Sequence, residues 1–325
     1  IVDRSALVHV HPSVWAQLRQ DPLEPFAHSE FMTIDALEHV EQALSRANTS
    51  QNGLVTNFVV FHRRKYFGVV SLATLLRHVS FLRTEELARA RLIQQHLMQQ
   101  CEWNSPAYEI YFYLDLAYEL GGDFYYRVDL GPDRELIACF DVSGKNVSAA
   151  LSTSTIAAFF ATLDKRQALA SISDQELVQL LNSVLNTETP VDMFVAAILI
   201  FLDRRERSMR VFNHGYSPLY VTDRNRPVDV HRFPDVLPDD PRVARLNPQF
   251  QPLGIEAEIT GLETATQLPI TAGSGLFSCS DGLFDAAAPT GEVFGEQRVE
   301  RLVVASHATE VESVIPNLKK TVREF

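Results

Sequence analysis

The feature that most constrains this fold is an unbroken apolar run at residues 194–202. A membrane-spanning helix needs about 20 residues, so this run is too short to span and is typical of a buried strand. Strand patterns followed by helices and then by further strands predict an α+β fold, an α/β sandwich of two antiparallel sheets flanked by helices. The other predicted strands are residues 110–114, 124–130, 135–140, 208–212, 219–222 and 276–279, and the predicted helices are residues 146–163, 298–306 and 310–322.

The composition narrows the class of protein. The 325 residues carry a net charge of −12, which disfavours nucleic acid and anionic lipid because phosphate binding needs clustered Lys and Arg. No run of about 18 apolar residues is present, so we expect no membrane partner for this fragment. The three cysteines lack CxxC spacing. This pattern favours a reducing cytoplasm and argues against a disulfide framework or a zinc site.

Three segments follow one another along the chain. Residues 1–80 have the pattern of a small α/β domain, residues 81–104 of a single linker helix, and residues 105–325 of the larger strand-rich domain. Thr84 is the expected N-cap of the linker helix, which carries an apolar stripe that includes Ile93. This stripe either packs on the following domain or pairs with a second chain as a short coiled coil in a homodimer.

The first segment resembles one CBS motif in its order of helix, strand, strand and helix. The predicted elements are residues 33–48, 54–61, 66–71 and 72–79, with a turn at Arg63-Arg64-Lys65 between the two strands. CBS motifs often bind adenosine nucleotides, but Thr74 stands where that family has its ribose-binding Asp. A generic sensor or dimerisation module is the alternative interpretation.

Aspartates beside glycines mark the ends of apolar strands in the last segment. They stand in the runs Gly121-Gly122-Asp123, Asp141-Val142-Ser143-Gly144 and Ser280-Asp281-Gly282. Each run by itself is typical of a turn. Together they suggest a site for hard cations, because Mg²⁺ and Mn²⁺ prefer carboxylate and carbonyl oxygens. Two such ions can lower the pKa of a water molecule and hold a phosphoryl group.

Other hydrolase and phosphate-binding signatures are missing from the sequence. None of the three cysteines is followed six residues later by the Arg of a Cys-based phosphatase. The run Gly144-Lys145 lacks the earlier glycine of a P-loop, and no G-x-S-x-G elbow is present. The aspartates therefore remain the candidates for chemistry.

The ordered set of motifs resembles the PPM-type serine/threonine phosphatases of the SpoIIE/RsbU branch. Besides the three aspartate runs, the resemblance includes a preceding helix and short runs later in the chain. The matching segments are residues 86–98, 119–125, 141–151, 193–195, 213–218, 252–255, 280–286 and 294–296.

This resemblance implies a PPM-type sandwich and a two-metal site for Mn²⁺ or Mg²⁺. It implies that Asp123, Asp141 and Asp281 are catalytic metal ligands and that the carbonyl of Val142 is a backbone ligand. The implied reaction is hydrolysis of a phosphorylated serine or threonine by metal-activated water. The implied substrate is a phosphorylated protein such as a STAS-type anti-sigma antagonist.

Two departures from the family pattern leave an alternative open. Tyr126 stands where the family usually has Asp, and no Asp occurs after Asp285, although the family ends on an Asp-Asp-x-Thr strand. We expect either that this strand lies beyond Phe325 or that one metal site is lost. A pseudophosphatase, or a ligand-sensing binding module without turnover, is therefore the alternative function.

Overall fold

The computed structural model describes residues 32–48, 57–97, 102–104, 108–116, 119–144, 147–165, 169–190, 192–229, 233, 235–307 and 309–325. The chain forms two compact units, residues 1–88 and residues 89–325. Each unit is described by itself.

The first unit contains a three-stranded sheet. Strand β2 pairs in parallel with β1 and antiparallel with β3. Arg63 and Arg64 have φ angles of 50° and 64°, as expected for a two-residue hairpin turn, which confirms the predicted turn. Residues 1–31 and 49–56 of the predicted first domain lie outside the described residues. The elements are β1 (Met32–Asp35), α1 (Val40–Asn48), β2 (Asn57–His62) and β3 (Lys65–Ser71).

The helix predicted over residues 33–48 begins later than expected. Residues 32–35 instead pair with β2 as a strand, and this pairing buries Ile34 in the core of the unit. Ile34 packs there in one cluster with Phe58 and Leu75. The resemblance to a CBS motif stays a prediction.

One continuous helix, α2 (Leu72–Leu97), replaces the short helix and the separate linker helix that the sequence suggested. The Ser71 hydroxyl accepts a 3.1 Å hydrogen bond from the Thr74 amide, so Ser71 rather than Thr84 provides the N-terminal cap. No Gly or Pro interrupts the helix after that cap. Thr84 lies inside the helix, where its hydroxyl donates to the Ser80 carbonyl at 2.9 Å.

The predicted linker helix also ends earlier than residue 104. Residues 102–104 form strand β4 (Glu102–Asn104), which pairs antiparallel with β5 (Glu109–Tyr111). The backbone groups of residues 102–104 are paired with β5 in this ladder, so these residues do not extend the helix. The strand predicted over residues 110–114 is accordingly shorter than expected.

Two antiparallel sheets form the centre of the second unit. The larger sheet has the order β12-β9-β8-β7-β6, and the smaller has the order β11-β10-β13. The strands of the larger sheet are β6 (Phe124–Gly131), β7 (Arg134–Val142), β8 (Val195–Asp203), β9 (Ser208–His214) and β12 (Thr266–Pro269). Those of the smaller sheet are β10 (Leu219–Asp223), β11 (Val243–Leu246) and β13 (Ser274–Phe277).

Helices cover the outer face of each sheet. Phe140 of the larger sheet packs in one core with helices α3 (Val147–Lys165) and α4 (Asp174–Glu188). Leu219 and Val221 of the smaller sheet pack against the larger sheet. Tyr220, on the opposite face, packs against α6 (Gly295–Ser306) and α7 (Val311–Glu324). A one-turn helix, α5 (Asp281–Phe284), precedes α6. The predicted sandwich flanked by helices is confirmed.

Helix α3 is long and apolar enough to cross a membrane by length and composition alone, over Val147–Asp164. The core helix of a globular domain passes the same test. Ala149, Ile156 and Phe160 of α3 are buried in the core beneath the larger sheet, so one face of this helix belongs to the core.

Candidate metal centre

A close backbone contact places Asp123 beside the end of β7. A Cβ atom on Gly122 would lie 2.5 Å from the Val142 carbonyl oxygen, nearer than a side chain tolerates. The Val142 amide also donates a 3.3 Å hydrogen bond to the Gly122 carbonyl. Glycine is therefore needed at position 122 for the chain to pass this close. The contact fixes the turn that leads directly into Asp123.

Asp141 projects toward the space between the two sheets. Its neighbours Phe140 and Val142 are buried in the core on the helical side of the larger sheet. Because successive side chains of a strand point to opposite faces, Asp141 lies on the face that is turned toward the smaller sheet. Its partner across the ladder is Ala196 of β8, a small residue.

The third motif, Ser280-Asp281-Gly282, is held beside Asp123 by a hydrogen bond from Ser280. The Ser280 hydroxyl donates a hydrogen bond of 3.1 Å to Oδ2 of Asp123. Asp281 is the next residue and the first of α5. Its negative charge raises the pKa values of both Asp123 and Asp141, so the carboxyl groups of all three aspartates lie within electrostatic range of one another. The structure thus brings the three sequence-predicted aspartates to one end of the sandwich.

Asp123 and Asp141 are in an environment that disfavours their negative charge. Burial raises the pKa of Asp141 to about 7, and the nearby charges of Asp123 and Asp281 add to this effect. Burial also raises the pKa of Asp123, whereas the hydrogen bond from Ser280 opposes the rise. Oδ1 of Asp123 is buried without a hydrogen-bond partner. A divalent cation would both neutralise this repulsion and occupy the unpaired oxygen.

The donor set fits a hard cation in its chemistry, although it is not a closed cage. It consists of carboxylate oxygens together with the Val142 carbonyl, which lies against Gly122 beside Asp123. Among the described residues, no three His, Cys, Asp or Glu side chains are already arranged to hold a metal ion. Mg²⁺ commonly keeps several waters and takes only one or two carboxylates from the protein, so an open arrangement suits it.

Tyr126 does not contribute to this cluster. Its ring stacks on Phe160 of α3 with a centroid distance of 5.2 Å, and it packs against the core on the helical side of the larger sheet. The side chain that departs from the family pattern therefore serves packing.

The turn after β9 is also structural. The Asn213 side chain accepts a hydrogen bond from the Tyr216 amide at 2.9 Å and donates one to the Ser217 carbonyl at 3.0 Å. His214 is buried, and its ring stacks on Phe250. Burial lowers the pKa of His214 to about 4, so it is neutral near pH 7.

Ser280 lies in the motif Ser280-Asp281-Gly282, but the sequence alone predicts no role for its hydroxyl. The signal that would have found it is its position, one residue before an aspartate at a strand end. A hydroxyl there is placed to donate to a neighbouring carboxylate.

Comparison with known structures defines the class of fold. The SiaA-PP2C domain of Pseudomonas aeruginosa superposes with a TM-score of 0.57 at 18% sequence identity, covering 76% of this chain and 92% of that domain. The PP2C phosphatase domain and regulatory-domain fragment of SpoIIE from Bacillus subtilis gives a TM-score of 0.44 at 21% identity, covering 62% of this chain and 52% of that one. The likeness to the SiaA domain shows that the second unit has the PP2C-type fold.

The family follows from the sequence comparison. The SpoIIE family model, described as stage II sporulation protein E, matches residues 131–325, which is more than half of the chain. The chain therefore belongs to the SpoIIE family. The matched region includes Asp141 and Asp281, whereas Asp123 precedes it. Protein IcfG of Synechocystis sp. (strain ATCC 27184 / PCC 6803 / Kazusa) is 26% identical over 251 residues, or 70% of this chain. The chain spans only 37% of the length of IcfG.

Proposed function

We propose that this chain is a metal-dependent protein serine/threonine phosphatase. The observation that carries the proposal is the meeting of Asp123, Asp141 and the Ser280-Asp281 turn at one end of a PP2C-type sandwich. Partly buried carboxylates that repel one another, such as Asp123 and Asp141, are costly to a fold. Such pairs are a hallmark of sites that bind a cation or transfer protons. Membership of the SpoIIE family supports the same conclusion.

The proposed ligands of Mn²⁺ or Mg²⁺ are Asp123, Asp141, Asp281 and the carbonyl of Val142. When bound, such cations lower the pKa of a water molecule and neutralise charge on a transferring phosphoryl group. The residues of the chain hold these ligands in place. Gly122 allows the close approach to Val142, and Ser280 orients the carboxylate of Asp123 through its hydrogen bond.

The proposed substrate is a phosphoserine or phosphothreonine on a regulatory protein, with a STAS-type anti-sigma antagonist as the specific candidate. The family resemblance supports this choice. We further propose that the enzyme acts in the cytoplasm and is regulated by the first unit. Pairing of two chains through that unit or through α2 is part of the same proposal.

The direct test is hydrolysis of p-nitrophenyl phosphate and of a phosphoserine peptide with added Mn²⁺. We expect activity that requires the metal and is lost in Asp141→Asn. Asp133→Asn is a matched control, because Asp133 is exposed in the hairpin turn at the other end of β7. Absence of Mn²⁺- or Mg²⁺-dependent hydrolysis in the wild-type protein would refute the proposal.

A second candidate function is phosphoprotein binding without turnover. It is favoured by Tyr126, which packs in the core at a position where the family usually has Asp. Calorimetry with Mn²⁺ separates the two functions. A phosphatase binds the ion and loses this binding in Asp141→Asn, whereas a pseudophosphatase shows no binding that depends on the three aspartates.

A further inference from the structure

A buried glutamine lies at the end of helix α2. Within the described stretch 89–96, Gln94 alone is buried, and its side chain belongs to the second unit. Gln94 is 4% exposed, whereas Ile93 beside it is 64% exposed. This is the reverse of the apolar stripe that the sequence predicts. A polar amide is buried at a cost unless its donors and acceptor are paired, so its partners identify its role.

The Gln94 amide pairs with both backbone groups of Gly121. Its Nε2 atom donates to the Gly121 carbonyl at 2.7 Å, and its Oε1 atom accepts from the Gly121 amide at 3.4 Å. The same Nε2 donates to the Thr153 hydroxyl of α3 at 3.2 Å, and that hydroxyl donates to the Ala150 carbonyl at 2.8 Å. One side chain therefore joins α2, the turn before Asp123 and the helix α3.

This turn depends on such a support because of its sequence. Gly121 and Gly122 lose more conformational freedom on ordering than any other residues would. Asp123 follows directly, and its carboxylate is fixed from the other side by Ser280. Breaking the pair between Gln94 and Gly121 would leave two partly buried backbone groups of Gly121 without this partner, and this favours displacement of the turn.

We infer that Gln94 is a positioning residue for the metal centre, acting on Asp123 through Gly121. This inference rests on the proposed function and deepens it. Gln94 itself touches neither metal nor substrate. Its loss therefore weakens cation binding more than it slows turnover once cation is saturating.

The test compares Gln94→Met with Gln95→Met. Methionine keeps the length of the side chain and its helix propensity but cannot pair with Gly121. Gln95 is exposed on the same helix, which makes it a matched control. Two readouts are used: the Mn²⁺ concentration for half-maximal hydrolysis of p-nitrophenyl phosphate, and hydrogen exchange of a peptide covering residues 119–126 in metal-free protein.

We expect Gln94→Met to need roughly tenfold more Mn²⁺, the size expected for the loss of about 1–1.5 kcal/mol of hydrogen bonding. Turnover recovers at saturating Mn²⁺, and the 119–126 peptide exchanges faster than in wild type. Gln95→Met matches wild type in both measurements. If Gln94→Met gives no cooperative unfolding transition, Gln94→Glu replaces it, because this variant keeps an acceptor for the Gly121 amide but loses the donor to the Gly121 carbonyl.

The outcomes separate the inference from the proposed function. Unchanged half-saturation together with unchanged exchange overturns the inference even in an active enzyme. Lower turnover at every Mn²⁺ concentration with unchanged half-saturation also overturns it, since that pattern indicates a general loss of folded protein. If the wild-type protein shows no metal-dependent hydrolysis, the proposed phosphatase function is refuted. If the 119–126 peptide of Gln94→Met still exchanges faster than that of wild type, Gln94 remains the residue that positions the turn.

Discussion

Ser280 and Asp123 are 157 residues apart in sequence and are joined by a 3.1 Å hydrogen bond from hydroxyl to carboxylate. This bond connects the end of the smaller sheet to the start of β6 in the larger one. Because Asp281 follows Ser280 directly, the bond also sets the separation of two proposed metal ligands. The geometry of the site therefore depends on how the two sheets pack, beyond the local conformation of each turn.

Removing this hydroxyl should weaken the centre without unfolding it. In Ser280→Ala the pKa of Asp123 rises further, since the hydrogen bond from Ser280 holds it down. We expect Mn²⁺ affinity to fall about three- to tenfold, which corresponds to the loss of a hydrogen bond that contributes about 0.7–1.4 kcal/mol. Calorimetric titration at pH 7.5 measures it.

Ser278→Ala is the matched control for this variant. Ser278 lies two residues before Ser280, and its hydroxyl is buried without a hydrogen-bond partner. Its affinity for Mn²⁺ should equal that of wild type. An unchanged affinity in Ser280→Ala would show that the hydrogen bond does not orient Asp123.

The stability of metal-free protein should depend on pH through Asp141. The pKa of Asp141 is about 7 in the folded protein and near 3.8 when unperturbed, so the folded state binds a proton that the unfolded state releases between these values. Wild-type stability from this group therefore rises as pH falls through 7 toward 4. Asp141→Asn carries no such charge. In EDTA we expect the variant to be more stable than wild type at pH 8, with a difference that shrinks by pH 5.5.

Thermal melting of wild type and Asp141→Asn at the two pH values in EDTA checks this expectation. The same melts with added Mn²⁺ test whether the wild type then becomes the more strongly stabilised protein. Added Mn²⁺ should raise the melting temperature of wild type and not that of Asp141→Asn, since a ligand stabilises the folded state that binds it. A difference in melting temperature that is independent of pH would contradict the assigned protonation of Asp141.

A buried ion cluster lies at the start of β7, at the end away from Asp141. It allows an effect on stability to be measured separately from an effect on catalysis. Glu135 is 1% exposed and accepts from Arg127 and Arg204, each at 2.7 Å. Glu135→Gln leaves two guanidinium groups without their counter-charge. We expect a loss of about 2–4 kcal/mol in unfolding free energy, less than for a fully buried pair because both arginines are partly exposed.

Urea denaturation measures the loss in Glu135→Gln, with Asp133→Asn as an exposed control that should change stability by less than about 0.5 kcal/mol. The Mn²⁺ concentration for half-maximal activity should be unchanged in both variants below their unfolding transitions. A shift in that concentration for Glu135→Gln would mean that this cluster also shapes the metal centre.

The sequence predicted the parts of the fold whose signals are local. The hairpin of β6 and β7 has alternating apolar residues around a Gly-Pro-Asp turn, and the structure confirms it. Helix α4 was missed, although the capping box of Ser173 and Glu176 marks its first turn. Strands β11 and β12 have four residues each, too few for a periodic pattern. The burial of Gln94 was beyond prediction, because it depends on Gly121 from a distant part of the chain.

Gly122 allows a test in which two known effects have opposite signs. Its backbone does not have a positive φ. Replacing it with alanine lowers the conformational entropy of the unfolded chain, and this effect by itself should stabilise the protein by about 0.4–1 kcal/mol. The added Cβ would, however, lie 2.5 Å from the Val142 carbonyl oxygen, and such overpacking typically costs about 1–3 kcal/mol. We expect Gly122→Ala to be destabilised and to bind Mn²⁺ more weakly, because the turn must move away from β7 and take Asp123 with it.

Gly282→Ala is the control for the steric argument, since its nearest neighbour, the Ser280 hydroxyl, would be at an ordinary distance of 3.7 Å. Its unfolding free energy, measured in urea with EDTA present, should equal or exceed that of wild type. If Gly122→Ala were as stable as Gly282→Ala, the backbone of residue 122 would not pack on Val142 as tightly as the structure has it. The close approach would then not be what places Asp123 beside Asp141.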